Sequence, residues 1–255
     1  MKFESDPNCS AIVTGTSTGI GEAVARELLE HGWSVIGIAR RPSPFAHERY
    51  RHVAYDLAEV VEDLAALESQ LAVHDMPALS RMGLVNNAAV PQGLMSVARL
   101  DPRELARIYA VNLIAPIWLM GYALRATPPD TPLRIVNVSS GAGTTGFAGL
   151  AAYGSSKAAL RLAGMSLARE WDTPSPTAAP RRDAAVLSYE PGVVDTDMQR
   201  YARSRPAEEF PWAQMFHDFA ARGVAVPPDR PAREIVAFLD SDNQAPFADR
   251  RLRMG

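Results

Sequence analysis

Tyr153 and Lys157 stand four residues apart in Tyr153-Gly-Ser-Ser-Lys157, the spacing that puts two side chains on one face of a helix. Tyrosine is a poor acid near neutral pH because its ordinary pKa is about 10, and a neighbouring ammonium lowers that value by stabilising the phenolate. The pair therefore predicts a usable proton donor to a carbonyl oxygen. Ser140 follows an apolar run at 133–138, so its hydroxyl is expected at the carboxyl end of a strand, where doubly wound sheets bind ligands. Each feature alone also has an ordinary explanation: a solvated helix face for the pair and a turn residue for the serine. A second set lies upstream. The loop Thr14-Gly15-Thr16-Ser17-Thr18-Gly19-Ile20-Gly21 places glycines after an apolar run and at the start of a helical pattern, where backbone N–H groups and the helix dipole favour a phosphate. Its spacing is not G-x-G-x-x-G, and alone it also reads as a tight turn with a hydroxyl cap.

The elements that must hold these groups alternate along the chain. Short apolar runs at 11–14, 34–38, 52–55, 82–85, 133–138 and 184–189 predict strands. Helical patterns fill the gaps: one carrying Ala23, Val24, Leu28 and Leu29 and closed by Gly32, then 57–71, 103–124, 153–171 and about 230–239. The alternation predicts an α/β fold with one doubly wound parallel sheet of about seven strands, helices on both faces, and a single domain over residues 1–255. The Pro-rich stretch 172–182 reads as a surface loop. Residues 195–228 carry Met198, Tyr201, Phe210, Trp212, Met215, Phe216 and Phe219 without simple periodicity. We read this segment as a substrate lid, although its aromatics would equally suit packing beneath a long loop.

Composition excludes several classes. With 47% hydrophobic and 22% charged residues among 255, the chain is neither disordered nor fibrous. Twenty-six basic residues against 29 acidic ones are too balanced for a nucleic-acid or anionic-membrane partner. A single cysteine, Cys9, and five histidines leave little for a disulfide or a metal site, so a reducing cytoplasm is expected, with Cys9 buried as a small apolar residue. Acidic residues near the N-terminus argue against a secretory signal. The apolar stretch 113–124 is broken by Pro116 and Gly121 and falls short of the ~20 residues that span a bilayer.

Taken together, the glycine loop, Asn86-Asn87-Ala88-Ala89, Asn112, Ser140, Tyr153-Gly-Ser-Ser-Lys157 and Pro191-Gly192-Val-Val194-Asp-Thr196 resemble the short-chain dehydrogenase/reductase family. The resemblance runs from about residue 10 to 239, with Ala89 where the family commonly has glycine. It implies a Rossmann-type domain that binds a nicotinamide dinucleotide and transfers hydride to or from a small molecule. It makes Tyr153 the acid or base and gives Ser140 a hydrogen bond to the substrate oxygen. Lys157 would lower the tyrosine pKa and bind the nicotinamide ribose, and Asn112 would hold a water in a proton relay. The cofactor would lie along Gly15, Thr16, Ser17, Thr18, Gly19, Ile20 and Gly21, with Asp56 and Leu57 at the adenine and Asn87 and Ala88 beside it. Pro191, Gly192, Val194 and Thr196 would hold the carboxamide. Asp56 also makes sense as a helix cap with Glu59.

At the end of the second strand stand Arg40 and Arg41 with no carboxylate, which favours NADPH over NADH unless the pair is simply solvated. Residues 189–203 look like the sepiapterin and benzil reductase branch. There Asp249 would anchor a pterin or else pair with the arginines of the tail, and Met198 and Trp212 would touch substrate. The expected activity is NADPH-dependent reduction of an aromatic or dicarbonyl ketone. A 3-oxoacyl reductase or alcohol dehydrogenase is the rival within the family. An NADP-binding sensor without turnover is the rival outside enzymes, although its usual mark, loss of Tyr or Lys, is absent here. The family resemblance also implies a homodimer or homotetramer through helices 103–124 and 153–171, with Ile114, Ile117 and Leu160 at the contact.

Overall fold

A computed structural model describes residues 8–71, 79–91, 93–171 and 183–252; the expectations for the N-terminal residues and for loop 172–182 lie outside these. The apolar runs become strands β1 (Cys9–Thr14), β2 (Ser34–Ala39), β3 (Tyr50–Ala54), β4 (Arg81–Asn86), β5 (Leu133–Val138), β6 (Ala184–Glu190) and β7 (Phe247–Arg251). All pair in parallel, in the order β3-β2-β1-β4-β5-β6-β7. The helices are α1 (Gly19–Glu30), α2 (Leu64–Leu71), α3 (Pro102–Tyr109), α4 (Ala115–Ala126), α5 (Ala151–Glu170), α6 (Asp197–Arg203), α7 (Ala213–Ala221) and α8 (Asp229–Leu239).

Strand alternation sorts the core into two layers. Ile12, Leu84 and Ile135 pack with Leu67, Ile108, Leu119 and Leu160 on the side of α2–α5, whereas Val13, Val85 and Val136 pack with Leu28, Ile235 and Phe238 beneath α1 and α8. Both faces are covered, which is why these strands read as continuous apolar runs. The strand order reverses between β1 and β4, so the loops leaving their carboxyl ends diverge and open a crevice there.

Four elements differ from the pattern read in the sequence. The expected helix 57–71 is split into a 3₁₀ turn, Leu57–Val61, and α2, because Asp63 takes the Ala66 N–H on its side chain while its own carbonyl accepts from the Tyr55 hydroxyl. The run Pro102–Ala126 carries a π turn at Ala110–Ile114. Pro116 has no N–H to give the carbonyl of Asn112, so the ordinary i→i−4 ladder cannot pass through that point. Among the described residues this run alone is long and apolar enough to cross a membrane, and half of its most apolar stretch is buried, as in a core helix. Leu160, expected at a subunit contact, is buried in the core as well. The last strand escaped the sequence pattern because Asp249, Arg250 and Arg251 interrupt it, as befits an exposed edge.

Residues 195–225 leave and rejoin the body at one place. Val194 bridges Val226, Asp195 N donates to Val226 O and Val226 N to Val193 O. Instead of an irregular segment, this excursion holds α6 and α7.

Arg134 pins the start of β5. Its fully buried guanidinium donates to the carbonyls of Leu133, Asp183 and Ser241 and pairs with the Asp183 carboxylate at 2.8 Å. Arg134→Met would remove the Asp183 ion pair and the second donor on the Asp183 and Ser241 carbonyls, which keep Leu133 N and Arg81, at a cost of about 2 kcal/mol, equivalent to a loss of roughly 4–8 °C in Tm for a chain of this length. Thermal denaturation checks it.

Candidate active site

The crevice is a cavity of about 490 Å³. Its floor is the glycine loop, tied down on two sides. Gly15 N donates to Ile38 O at 2.8 Å, and Asn87 Nδ2 donates to Thr14 O at 2.9 Å. The Thr14 hydroxyl accepts from Asn87 N and Ala88 N at 3.0 and 2.9 Å, so one threonine that the sequence did not single out locks the two diverging loops together. Gly15 and Gly19 take positive φ of 78° and 63° and line the cavity with Ser17, Thr18 and Ile20. Thr18 begins α1 without a side-chain cap, which leaves the first-turn N–H groups to an anion.

Thr16 and Gly21, expected at the same site, serve the loop itself. The Thr16 side chain is buried beneath it, and a Cβ on Gly21 would lie 2.3 Å from Gly15 O. Bare backbone, an open helix start and closely packed glycines fit the diphosphate of a dinucleotide.

Toward one end the walls are Arg40, Arg41, Asp56 and Leu57. Asp56 caps the 3₁₀ turn by accepting from Ala58 N, and its other oxygen lies 3.7 Å from Arg40 and 3.3 Å from Arg107. Arg41 reaches across to Asp197 of α6 at 3.9 Å. Ala88, Pro191, Gly192, Val194 and Thr196 flank the middle.

At the other end stand Ser140, Tyr153 and Lys157. Ser140 ends the chain's exit from β5. Its hydroxyl caps the turn Gly141–Gly143 by accepting from Ala142 N at 3.2 Å, and Tyr153 lies on the same stretch of wall. That turn lies directly on α5, and a Cβ on Gly154 would come within 2.6 Å of Ala142 O. The Lys157 ammonium donates to Val138 O at 2.8 Å and lies 5.8 Å from the Tyr153 ring centre.

Burial dominates both titrations. It pushes the Tyr153 hydroxyl up to about 12, against a smaller opposite pull from Ser140, and it brings Lys157 down to about 8. The expected lowering of the tyrosine by its lysine is therefore not what this geometry produces, because the ammonium is directed at a backbone carbonyl. At neutral pH Tyr153 holds its proton.

The remaining nominated residues are placed elsewhere. Asn112 is fully buried, and its side chain accepts from Val90 N and donates to Val90 O and Ser156 Oγ, so its amide clamps the loop after β4. Trp212 packs edge-on against Phe147 outside the cavity wall, while Met198 lines it. Asp249 lies in β7 outside the wall as well, gripped by both Nε and a terminal nitrogen of Arg161. Leu94, Ala142 and Leu150 complete the wall near Tyr153 together with Tyr201 and Phe216. Plain apolar residues on loops carry no chemical signal, so only the fold could reveal the first three.

Lys157 and Lys2 are the only lysines in the chain, which makes the alkaline titration unusually clean. Below about pH 8 the ammonium is charged in both folded and unfolded chains and its burial cost is present. Between about 8 and 10.5 only the unfolded chain keeps the extra proton, so stability rises with pH. Above 10 the raised tyrosine reverses the trend. Ligand-free protein should gain Tm between pH 8 and 10, and Lys157→Met should lack that gain; parallel curves for the two would refute the assignment.

A family model described as short chain dehydrogenase matches residues 10–207. The benzil reductase of Bacillus subtilis, described as (S)-benzoin forming, is 28% identical over 91% of this chain and 94% of its own. The sepiapterin reductase of Meriones unguiculatus is 32% identical over 75% of this chain and 76% of its own. The 3-oxoacyl-[acyl-carrier-protein] reductase of Vibrio harveyi is 34% identical over 74% and 75% respectively. With the parallel sheet, the glycine-floored crevice and the Ser–Tyr–Lys cluster at its end, these similarities make the chain a member of the short-chain dehydrogenase/reductase family of nicotinamide-dependent oxidoreductases.

Proposed function

We propose that this enzyme reduces a neutral, largely apolar ketone or dicarbonyl to an alcohol, using NADPH in preference to NADH, with Tyr153 as proton donor. The observation that carries this reading is that Ser140 and the buried Tyr153 stand together on the cavity wall, the serine drawing the phenol's pKa down, among Leu94, Ala142, Leu150, Tyr201 and Phe216. None of those wall residues is charged at neutral pH, so the site favours a flat apolar body with one oxygen turned inward. The bound nicotinamide supplies the hydride. Ser140 and Tyr153 hold the carbonyl oxygen and polarise it, and Tyr153, protonated at neutral pH, gives that oxygen its proton. For the Lys157 ammonium to stabilise the phenolate left behind, it has to turn from Val138 O toward the Tyr153 hydroxyl.

The end of the cavity at β2 supports NADPH. Arg40 and Arg41 are exposed there, and a 2′-phosphate would compete with Asp56 and Asp197 for them. The match to the benzil reductase spans nearly both chains and favours that branch. The identity to the 3-oxoacyl reductase keeps a thioester substrate as the second reading. Exposed Ile114 and Ile117 remain as the apolar residues through which two copies would pair.

Loss of NADPH absorbance with benzil, sepiapterin, simple aromatic ketones and a 3-oxoacyl thioester tests the reading. Turnover of the first two supports it, and turnover of the thioester alone moves the protein to the second reading. Tyr153→Phe keeps the ring and deletes only the hydroxyl, so it should lose about two orders of magnitude or more in kcat while still binding NADPH. A rate near that of the unmodified enzyme would remove Tyr153 from the role. Arg40→Asp replaces attraction by repulsion and should shift the NADPH/NADH ratio of kcat/KM by about tenfold or more toward NADH. An unchanged ratio would place the discrimination on other residues.

A further inference from the structure

Beneath the glycine loop, outside the cavity wall, three hydroxyls meet. Thr16 Oγ1 lies 2.9 Å from Tyr50 Oη, Ser43 Oγ is hydrogen-bonded to the same phenol, and Ser43 Oγ donates to Thr16 O at 3.1 Å. Each hydroxyl brings one hydrogen, and the set closes with Thr16 donating to Tyr50, Tyr50 to Ser43 and Ser43 to the Thr16 carbonyl. The phenol reaches this point across β2 at Gly37, where a Cβ would stand 2.1 Å from Tyr50 Oη and 2.7 Å from Thr16 Oγ1. A glycine inside a buried strand thus marks a close approach. On its other side the Tyr50 ring packs against Phe45, with ring centres 4.8 Å apart, and Arg26 covers Phe45.

Ser43 is two residues beyond Arg41 in Arg40-Arg41-Pro42-Ser43-Pro44. The flanking prolines fix two φ angles and remove two backbone donors, so the Ser43 hydroxyl is the anchor that sets where the arginine backbone lies. The arginine side chains are long and exposed and can converge on an anion only if that backbone is held.

We propose that Tyr50 is a positioning residue for cofactor selectivity: its hydroxyl ties the Arg40–Arg41 turn to the glycine loop through Ser43 and Thr16, fixing the arginines for a 2′-phosphate. This rests on the NADPH reading above. It assigns a role to Tyr50, Ser43, Thr16 and Gly37, none of which has to touch the cofactor.

The test measures Kd for NADPH and NADH by fluorescence titration, with KM, kcat and Tm, for the unmodified protein, Tyr50→Phe and Ser43→Ala. Tyr50→Phe keeps the ring on Phe45 and under Gly37, and Ser43→Ala changes a partly exposed side chain, so one variant backs up the other should either fold poorly. The expected result is a fivefold or larger rise in Kd and KM for NADPH in both variants, with NADH changed less than twofold and the loss in KM and not in kcat. Equal losses for the two cofactors would mean that the hydroxyls only support the loop, and an unchanged ratio would mean that they do not position the arginines; either overturns the proposal. If the unmodified protein itself shows no preference for NADPH, the arginine reading and this inference fall together. Preference in the unmodified protein that persists in both variants overturns the inference alone.

Discussion

The close seating of α5 on the turn after β5 is the constraint from which the chemistry follows. Ser140 comes from a strand end and Tyr153 from a helix, and nothing local brings them together. Gly154 does so by having no side chain: its Cα lies over Ala142 O so closely that a Cβ would stand at 2.6 Å. Lys157, one turn further along, closes the same contact with its bond to Val138 O. The small residues of Tyr153-Gly-Ser-Ser-Lys157 thus permit an approach that the Tyr and Lys then use. Ser156 belongs to the same fit, since its hydroxyl meets the Asn112 amide that clamps Val90.

That tight seating has an electrostatic consequence. Burial opposes both the phenolate and the ammonium, moving Tyr153 up and Lys157 down. A tyrosine that keeps its proton through neutral pH is in the state from which it can be donated. Lys157 remains mostly charged at pH 7 with a titration point near 8.

Much of this was legible in residue types and spacing. The strands announced themselves because both faces of the sheet are covered, leaving runs such as 35–39 without a polar side chain. The strand Phe247–Arg251 did not, because an edge strand can carry charge and this one does. The split of 57–71 and the π turn at Ala110–Ile114 were hidden for a different reason: a single Asp cap or a Pro four residues downstream decides them, and hydrophobic periodicity averages over both. In the site, residues with a chemical signature lie on the cavity wall in the main. Those that escaped were Thr14, which works through backbone groups, and apolar Leu94 and Leu150, whose type says nothing about where they lie. Thr16 and Asn112 are the reverse case, polar residues in the right segments whose side chains are spent on the scaffold.

Gly19 shows how few atoms separate scaffold from site. Its positive φ opens α1 toward the cavity, and its missing Cβ also makes room for Thr196, whose methyl carbon would be 3.2 Å from it. Thr196 begins the excursion that carries Met198, Tyr201 and Phe216 over the catalytic end, and the bridge from Val194 to Val226 fixes its stems. A side chain at position 19 would therefore crowd the phosphate floor and lift the excursion from its base at once. The two ends of the cavity are built from distant segments, yet they meet at Gly19 and Thr196 as well as through Arg41 and Asp197, so the glycine loop bears on the shape of the apolar end as well as the polar one.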